Sequence, residues 1–196
     1  MQDVYRIISR VMNTDLTVLI EGESGTGKEL AARAIHDLGQ TRNGAFHSLD
    51  LATRHAQDVH SELFGTPDAP GYAYAADATI YLDEDGDLEE MVKKGDFRED
   101  LYYRMNVVRI EMPPLRRRKE DIPELIKAFL IRAEGRGLAQ KQIAQAAMDL
   151  MMAYDWPGNV RELENLIFRL AALSPDATIS QRDIERELRA ESPKEL

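Results

Sequence analysis

A glycine-rich segment near the start of the chain has the residue types and spacing of a phosphate-binding loop. Its residues are Gly22, Glu23, Ser24, Gly25, Thr26, Gly27 and Lys28. Glycines in such a loop let successive backbone N–H groups face a phosphate, and a following helix adds the favourable end of its dipole. Lys28 would reach the terminal phosphates of a nucleotide. The next residue is Glu29, where the strict motif has a Ser or Thr that binds Mg²⁺, so the motif departs from the pattern at one position.

An acidic pair farther along the chain is the natural partner of such a loop. Asp83 and Glu84 follow the short apolar segment 79–82. Alone, two carboxylates at the end of a strand would be solvated surface charge. Beside a phosphate loop, Asp83 can hold Mg²⁺, directly or through water, and Glu84 can polarise the attacking water. We therefore predict a metal-binding role for Asp83 and a catalytic role for Glu84.

The apolar pattern predicts the elements that would position these residues. Helical spacing is present from Val4 to Val11 and again after Lys28, where Leu30, Ala31, Ala34, Ile35 and Leu38 would share one face. Short apolar runs predict strands at 17–20, 46–50, 79–82 and 107–110. Alternation of strands and helices favours an α/β domain with a parallel sheet.

The character of the sequence changes at Pro113-Pro114, because the rest of the chain has helical periodicity. Apolar faces span 122–130 and 143–152. Asn159 and Glu162 have the spacing of an N-cap and its carboxylate partner at the start of a third helix, and Ser180 and Asp183 repeat that spacing before a short last one. We predict an α/β domain over residues 1–112 and a small helical domain over 113–196.

Composition excludes several classes of function. The chain has 196 residues, a formal net charge of −10 and no cysteine, which rules out disulfides, a thiol nucleophile and cysteine-ligated metals. The negative charge argues against nucleic-acid binding by this chain alone. No apolar run approaches the ~20 residues of a membrane span. We expect a soluble, cytoplasmic protein with no membrane partner.

Five motifs in a fixed order resemble the AAA+ ATPase domain of NtrC-type bacterial enhancer-binding regulators, and the flanking residues are most similar to the alphaproteobacterial nitrogen-regulation branch. The motifs occupy 21–29, 61–65, 97–104, 113–116 and 156–165. The resemblance implies a P-loop AAA+ three-layer α/β sandwich with a parallel sheet, followed by a helical lid. It also implies binding of ATP and Mg²⁺. Glu29 is the usual residue after the loop lysine in this family.

The resemblance also assigns roles to individual residues. Lys28 and its loop, from Gly22 to Glu29, would bind ATP, and Asp83 with Glu84 would form the Walker B pair. Arg98 and Arg104 match arginine fingers that reach the γ-phosphate of a neighbouring subunit. Arg161 matches the sensor II arginine of the lid.

Asp50 occupies a position where this family usually has an asparagine that restrains the catalytic glutamate. An aspartate would repel Glu84 where the asparagine would donate a hydrogen bond to it. Asp50 is therefore a candidate catalytic residue, and the restraint on the catalytic glutamate would be altered in this chain.

Partners follow from the same resemblance. The family assembles into rings, commonly hexamers, and acts on RNA polymerase in transcription activation. DNA would be bound only through a domain outside this chain, as in two-component nitrogen regulators.

Two segments of the family pattern are missing. The loop that grips sigma-54 should follow Phe64-Gly65, and a helix, a central strand and the sensor I residues should follow Glu84. Three functions therefore remain open: an ATP-hydrolysing motor, an ATP-binding assembly module with little or no hydrolysis that works without sigma-54, and a small-molecule P-loop kinase. No acceptor pocket for a kinase substrate is marked in the sequence.

Overall fold

In a computed structural model of the protein, residues 1–14, 16–50, 61, 65–66, 69–70, 79–83, 88–95 and 99–191 are described. The chain separates into two compact units, Met1–Met112 and Pro113–Leu196. The first combines helices with parallel strands, and the second is mainly helical. Each unit has its own hydrophobic core.

The first unit alternates strands and helices, as the apolar pattern predicts. Its helices are α1 (Gln2–Val11), α2 (Lys28–Leu38), α3 (Leu88–Lys94) and α4 (Glu99–Met105). Its strands are β1 (Val18–Glu21), β2 (Phe46–Asp50), β3 (Gly65–Thr66), β4 (Ala69–Pro70), β5 (Thr79–Asp83) and β6 (Val108–Glu111).

The core of this unit lies between α1, α2 and one face of the β1–β6 pair. Val4 and Ile8 of α1 pack with Ala31 of α2, Ile110 and Met112. The predicted apolar face of α2 is only partly buried, because Leu30 and Leu38 are 69% and 63% exposed. Helical periodicity identifies a stripe of apolar residues, whereas the neighbouring elements determine how much of that stripe is covered.

The described strands of this unit form three separate pairs instead of one continuous sheet, two of them parallel and the short β3–β4 pair antiparallel. β1 pairs with β6, in a register that places Leu19 opposite Arg109. β2 pairs with β5, with Asp50 opposite Asp83. Within the described residues β1 and β5 are not hydrogen-bonded to each other, although α2 contacts both.

Over residues 113–191, the second unit has four helices, two 3₁₀ turns and a two-residue strand pair. The helices are α5 (Ile122–Gly135), α6 (Gln145–Ala153), α7 (Asn159–Leu173) and α8 (Gln181–Glu191). The 3₁₀ turns are Leu115–Arg117 and Lys119–Asp121, and β7 (Gln142–Ile143) pairs in parallel with β8 (Thr178–Ile179). The predicted second helix thus begins later than its periodicity suggests, because Ile143 is in β7.

Trp156 is part of the second core. Its side chain is fully buried and its indole Nε1–H donates to the Met151 carbonyl oxygen over 2.8 Å. The ring meets Tyr154 edge to face, with centroids 5.1 Å apart. The same core includes residues from all four described helices, among them Ile126, Met151, Leu163 and Ile184.

The start of α7 differs from the predicted cap. Gly158 is the N-cap, and its N–H donates to the Glu162 carboxylate over 2.7 Å. Asn159 is the first helical residue, with φ of 55°, and its buried side chain accepts a hydrogen bond from the Leu115 N–H at 2.8 Å. The side chain of Asn159 therefore ties the segment after the prolines to α7 and does not cap the helix.

The predicted cap of the last helix is confirmed. Asp183 accepts hydrogen bonds from the Ser180 hydroxyl at 2.7 Å and the Ser180 N–H at 2.8 Å. These two bonds, the hydroxyl first, hold the pKa of Asp183 below its ordinary value, and the nearby Arg186 charge adds to the effect. The ionised carboxylate is therefore favoured in the folded protein.

This cap predicts a pH dependence of stability. Because the folded pKa is lowered, the stabilisation is complete above the unfolded value of 3.8 and is lost as the pH falls through the lower folded value. Asp183→Asn should lower the Tm by a few degrees at neutral pH, and the difference should shrink below pH about 4. Thermal unfolding followed by circular dichroism across this range tests it. Asp176→Asn, on an exposed residue with no such cap, is the control, and an equal shift in both variants would contradict the prediction.

None of the helices in the described part of the chain is long and apolar enough to cross a membrane. Within the same residues, no group of three or more His, Cys, Asp and Glu side chains is arranged to hold a metal ion.

Candidate nucleotide-binding site

The glycine-rich segment connects β1 directly to α2, as the sequence predicts. Gly25 and Gly27 have φ of 76° and 100°, and Gly27 immediately precedes the helix. Such backbone angles are adopted readily only by glycine. They allow the chain to turn sharply from the strand into the first turn of α2, whose N–H groups have no acceptor within the helix. The loop thus has the backbone form of an anion-binding site.

Lys28 is braced against the loop. It is only 8% exposed, and its Nζ donates a hydrogen bond to the Gly22 carbonyl oxygen over 2.8 Å. Thr26 is also buried, and its hydroxyl donates to the Glu23 carbonyl oxygen at 2.7 Å. The ammonium group is therefore held at the loop by a neutral acceptor. An arriving phosphate would be a stronger partner for that charge.

The base of the loop is closed by Met112, a residue that belongs to none of the sequence motifs. The Met112 N–H donates to the Glu21 carbonyl oxygen over 2.7 Å, extending the β1–β6 pair. A Cβ on Gly22 would lie 2.8 Å from the Met112 carbonyl oxygen, so only glycine fits there. No local pattern around Met112 points to this contact, because it depends on strand pairing across the chain.

Glu29 has a structural partner of its own. Its carboxylate lies 2.8 Å from the guanidinium of Arg33, one helical turn on, and that guanidinium stacks over the ring of Phe46 at 4.6 Å. The carboxylate thus pairs along the surface of α2, so Glu29 does not replace the missing hydroxyl as a Mg²⁺ ligand in this arrangement.

The parallel pairing of β2 and β5 brings two predicted acidic positions side by side. Asp50 and Asp83 are the last residues of their strands and are direct neighbours in the register. Only the backbone is described at these two positions. Glu84, which follows Asp83, lies outside the described residues. The strand ends therefore bring positions 50 and 83 together at one edge of the pair.

The predicted arginines lie in different parts of the chain. Arg104 is in α4, where the structure describes its backbone, and Arg98 lies outside the described residues. Arg161 is an exposed residue in the first turn of α7. The turn preceding Arg161 is held by Trp156, Gly158 and Asn159.

Comparison with protein families gives two matches that together cover nearly the whole chain. The sigma-54 interaction domain matches residues 1–84 and 73–111. The AAA+ ATPase lid domain matches residues 116–196. The first match is made of two segments that overlap at 73–84, so the family pattern is interrupted in that stretch.

Curated relatives are regulators of transcription. The DNA-binding transcriptional regulator NtrC of Rhizobium meliloti is 42% identical over 243 residues, covering 98% of this chain and 50% of the relative. The transcriptional regulatory protein ZraR of Salmonella typhi is 38% identical, covering 94% and 53%. The chain thus spans about half the length of these relatives. The NtrC alignment exceeds the 196 residues of this chain by 243 − 196, so at least 47 of its positions have no counterpart here.

Solved structures of NtrX from Brucella abortus have the same fold. The complex with ATP superposes with a TM-score of 0.78 at 31% identity, covering 93% of this chain and 52% of that one. The complex with ADP gives a TM-score of 0.79 at 30% identity, covering 99% and 55%. The predicted P-loop AAA+ fold with a helical lid is confirmed.

Proposed function

Because this chain belongs to the sigma-54 interaction family of AAA+ domains, we propose that it binds and hydrolyses ATP as the motor domain of an NtrC-like activator of transcription. The observation that carries the proposal is the loop from Gly22 to Lys28, with its buried lysine at the start of α2. The NtrX structures support it, because those related proteins were solved with ATP and with ADP. Residues 1–112 would be the nucleotide-binding subdomain and 113–196 the lid.

The phosphates would be bound by the loop and the first turn of α2. N–H groups of the residues from Gly22 to Glu29 would cradle the phosphate oxygens, and Lys28 would exchange the Gly22 carbonyl for the terminal phosphates. Asp83 would hold Mg²⁺, which when bound neutralises phosphate charge. The neighbouring position of Asp50 places a second acidic residue at the same edge.

Hydrolysis would use groups from two subunits. Glu84 would polarise a water that attacks the γ-phosphorus, the bond to the bridging oxygen would break, and ADP and phosphate would leave. Arg98 and Arg104 would stabilise the developing charge at the nucleotide of the adjacent subunit, and Arg161 would contact the nucleotide from the lid. The active form would then be a ring, with six subunits as in its family.

Transcription activation would require the rest of a longer regulator. The chain spans about half of its curated relatives, which are DNA-binding regulators. We propose that this domain acts on RNA polymerase, while DNA binding and signal reception belong to other domains. Nitrogen regulation is the process that the similarity to NtrC suggests.

ATP turnover measured against protein concentration tests the trans arrangement. We expect turnover per subunit to rise with concentration, because each site needs an arginine from a neighbour. Glu84→Gln and Arg104→Ala should each be inactive, and mixing them should restore activity at interfaces that combine an intact Glu84 with an intact Arg104. Turnover that is independent of concentration, with no recovery on mixing, would contradict it. ATP binding without turnover would instead indicate the assembly module.

A further inference from the structure

A hydrogen-bonded connection joins the start of the phosphate loop to α4. The Arg109 guanidinium lies 3.0 Å from the Glu21 carboxylate and donates a second bond to the Tyr102 hydroxyl over 2.8 Å. The Asn106 amide also donates to that hydroxyl, at 3.1 Å. The three residues Glu21, Arg109 and Tyr102 therefore form one continuous connection, called here the Tyr102 connection.

One end of the Tyr102 connection is the last residue before the loop. Glu21 ends β1 and directly precedes Gly22, whose carbonyl oxygen accepts the hydrogen bond from Lys28. Glu21 and Arg109 lie on one face of the β1–β6 pair, because Arg109 is opposite Leu19 and alternate residues of a strand share a face. Movement of the strand end would therefore be transmitted to Arg109.

The other end is in a helix that cannot hold its place alone. α4 has seven residues, fewer than an isolated helix needs for stability in water. Among its described side chains only that of Tyr102 is buried, at 6% exposure, whereas Tyr103 is 66% exposed. Tyr102 is therefore the side chain of α4 whose described contacts fix the helix to the β1–β6 pair.

Position 104 is two residues further along α4, which is about 200° around the helix. It therefore lies on the face opposite Tyr102. When Tyr102 is fixed at the β1–β6 pair, the rotation of α4 about its axis is fixed as well. The orientation of the opposite face of α4, which carries position 104, is then determined.

We propose that Tyr102 is a positioning residue. Through Arg109 and Glu21, it holds α4, and with it position 104, in a fixed position relative to the nucleotide loop. The catalytic part of this inference rests on the proposed function, in which Arg104 serves the site of the adjacent subunit. The local part, that Tyr102 and Arg109 fix α4 to the strand leading into the loop, rests on the contacts alone.

Tyr102→Phe is the decisive variant, because it removes one hydroxyl and keeps the buried ring. Tyr103→Phe is the matched control on the neighbouring exposed tyrosine. In protein without nucleotide, hydrogen–deuterium exchange in α4 should be several-fold faster in Tyr102→Phe than in wild type, and unchanged in Tyr103→Phe. Arg109→Gln, on a half-exposed side chain, should reproduce the effect and remains informative if Tyr102→Phe folds poorly. Equal exchange in all variants would overturn the inference.

Kinetics separates positioning from general stability. Tyr102→Phe should bind ATP with wild-type affinity. Its kcat should fall by roughly tenfold, because a misplaced Arg104 would stabilise less well the charge that develops on the γ-phosphate. A loss of ATP affinity with unchanged kcat would overturn the positioning role. If wild-type protein hydrolyses no ATP, the proposed motor function fails, whereas the exchange comparison still decides whether the Tyr102 connection fixes α4.

Discussion

Lys28→Ala is expected to weaken ATP binding by about 100-fold, the largest effect of any single substitution in the loop. A hydrogen bond to a charged group contributes about 1.5–3 kcal/mol, and each 1.4 kcal/mol is a tenfold change in affinity. The substitution removes the ammonium group and also the brace that joins α2 to the Gly22 carbonyl oxygen. Isothermal titration with ATP and with ADP measures the loss directly.

Two further variants make the Lys28 result specific. Lys28→Met keeps the buried aliphatic stem and removes only the charge, so it should lose nearly as much affinity as Lys28→Ala. Lys127→Ala removes an exposed lysine from α5 and should bind ATP as wild type does. Wild-type affinity in Lys28→Met would show that packing of the stem, and not the charge, maintains the site, and would contradict the assignment.

Trp156→Ala is expected to destabilise the second unit by about 3–5 kcal/mol, the range for removing a large aromatic side chain from a core. The ring is fully buried, packs edge to face with Tyr154 and donates to the Met151 carbonyl oxygen. Its backbone has φ of 52°, an unfavourable angle for a bulky residue, which persists because the surrounding contacts determine it. Trp156→Ala would remove both the packing of the ring and the contacts that stabilise the positive φ at this position.

Urea unfolding followed by far-UV circular dichroism measures this change. Trp156 is the single tryptophan of the chain, so fluorescence of the wild type reports on unfolding of the second unit alone. Trp156→Phe retains most of the ring and loses the indole hydrogen bond, so it should cost about 1–2 kcal/mol. If both variants lost the same stability, the hydrogen bond and not ring packing would be the main contribution.

The interruption of the family pattern has a structural counterpart. At least 47 aligned positions of a relative are missing here, and the family match is broken between 73 and 84. In the described part of the chain, β5 lies within this stretch and pairs with β2, separately from the β1–β6 pair. The loop nevertheless retains its buried lysine and its contact with Met112. The elements of the proposed phosphate site, β1, α2 and β6, are therefore all present in this chain.

Local sequence patterns were sufficient for the main helices and strands and for the strand–loop–helix order at the phosphate loop. The spacing from Gly22 to Lys28 predicts a strand, loop and helix in that order, because its requirements fall on consecutive residues. The cap of α8 is equally local, since Ser180 and Asp183 are three residues apart. Periodicity likewise identifies the helical second unit from Pro113 onward.

By itself, the sequence determined the loop chemistry, the order of the motifs and the helical character of the second half, since each is a property of neighbouring residues. Only the tertiary structure decided which distant residues meet. Met112 packs against Gly22. Asn159, which the sequence predicts as a helix cap, instead accepts a hydrogen bond from the Leu115 N–H. Arg109 contacts both Glu21 and Tyr102. Periodicity shows which face of an element is apolar, but strand register and packing between elements select the partners on that face.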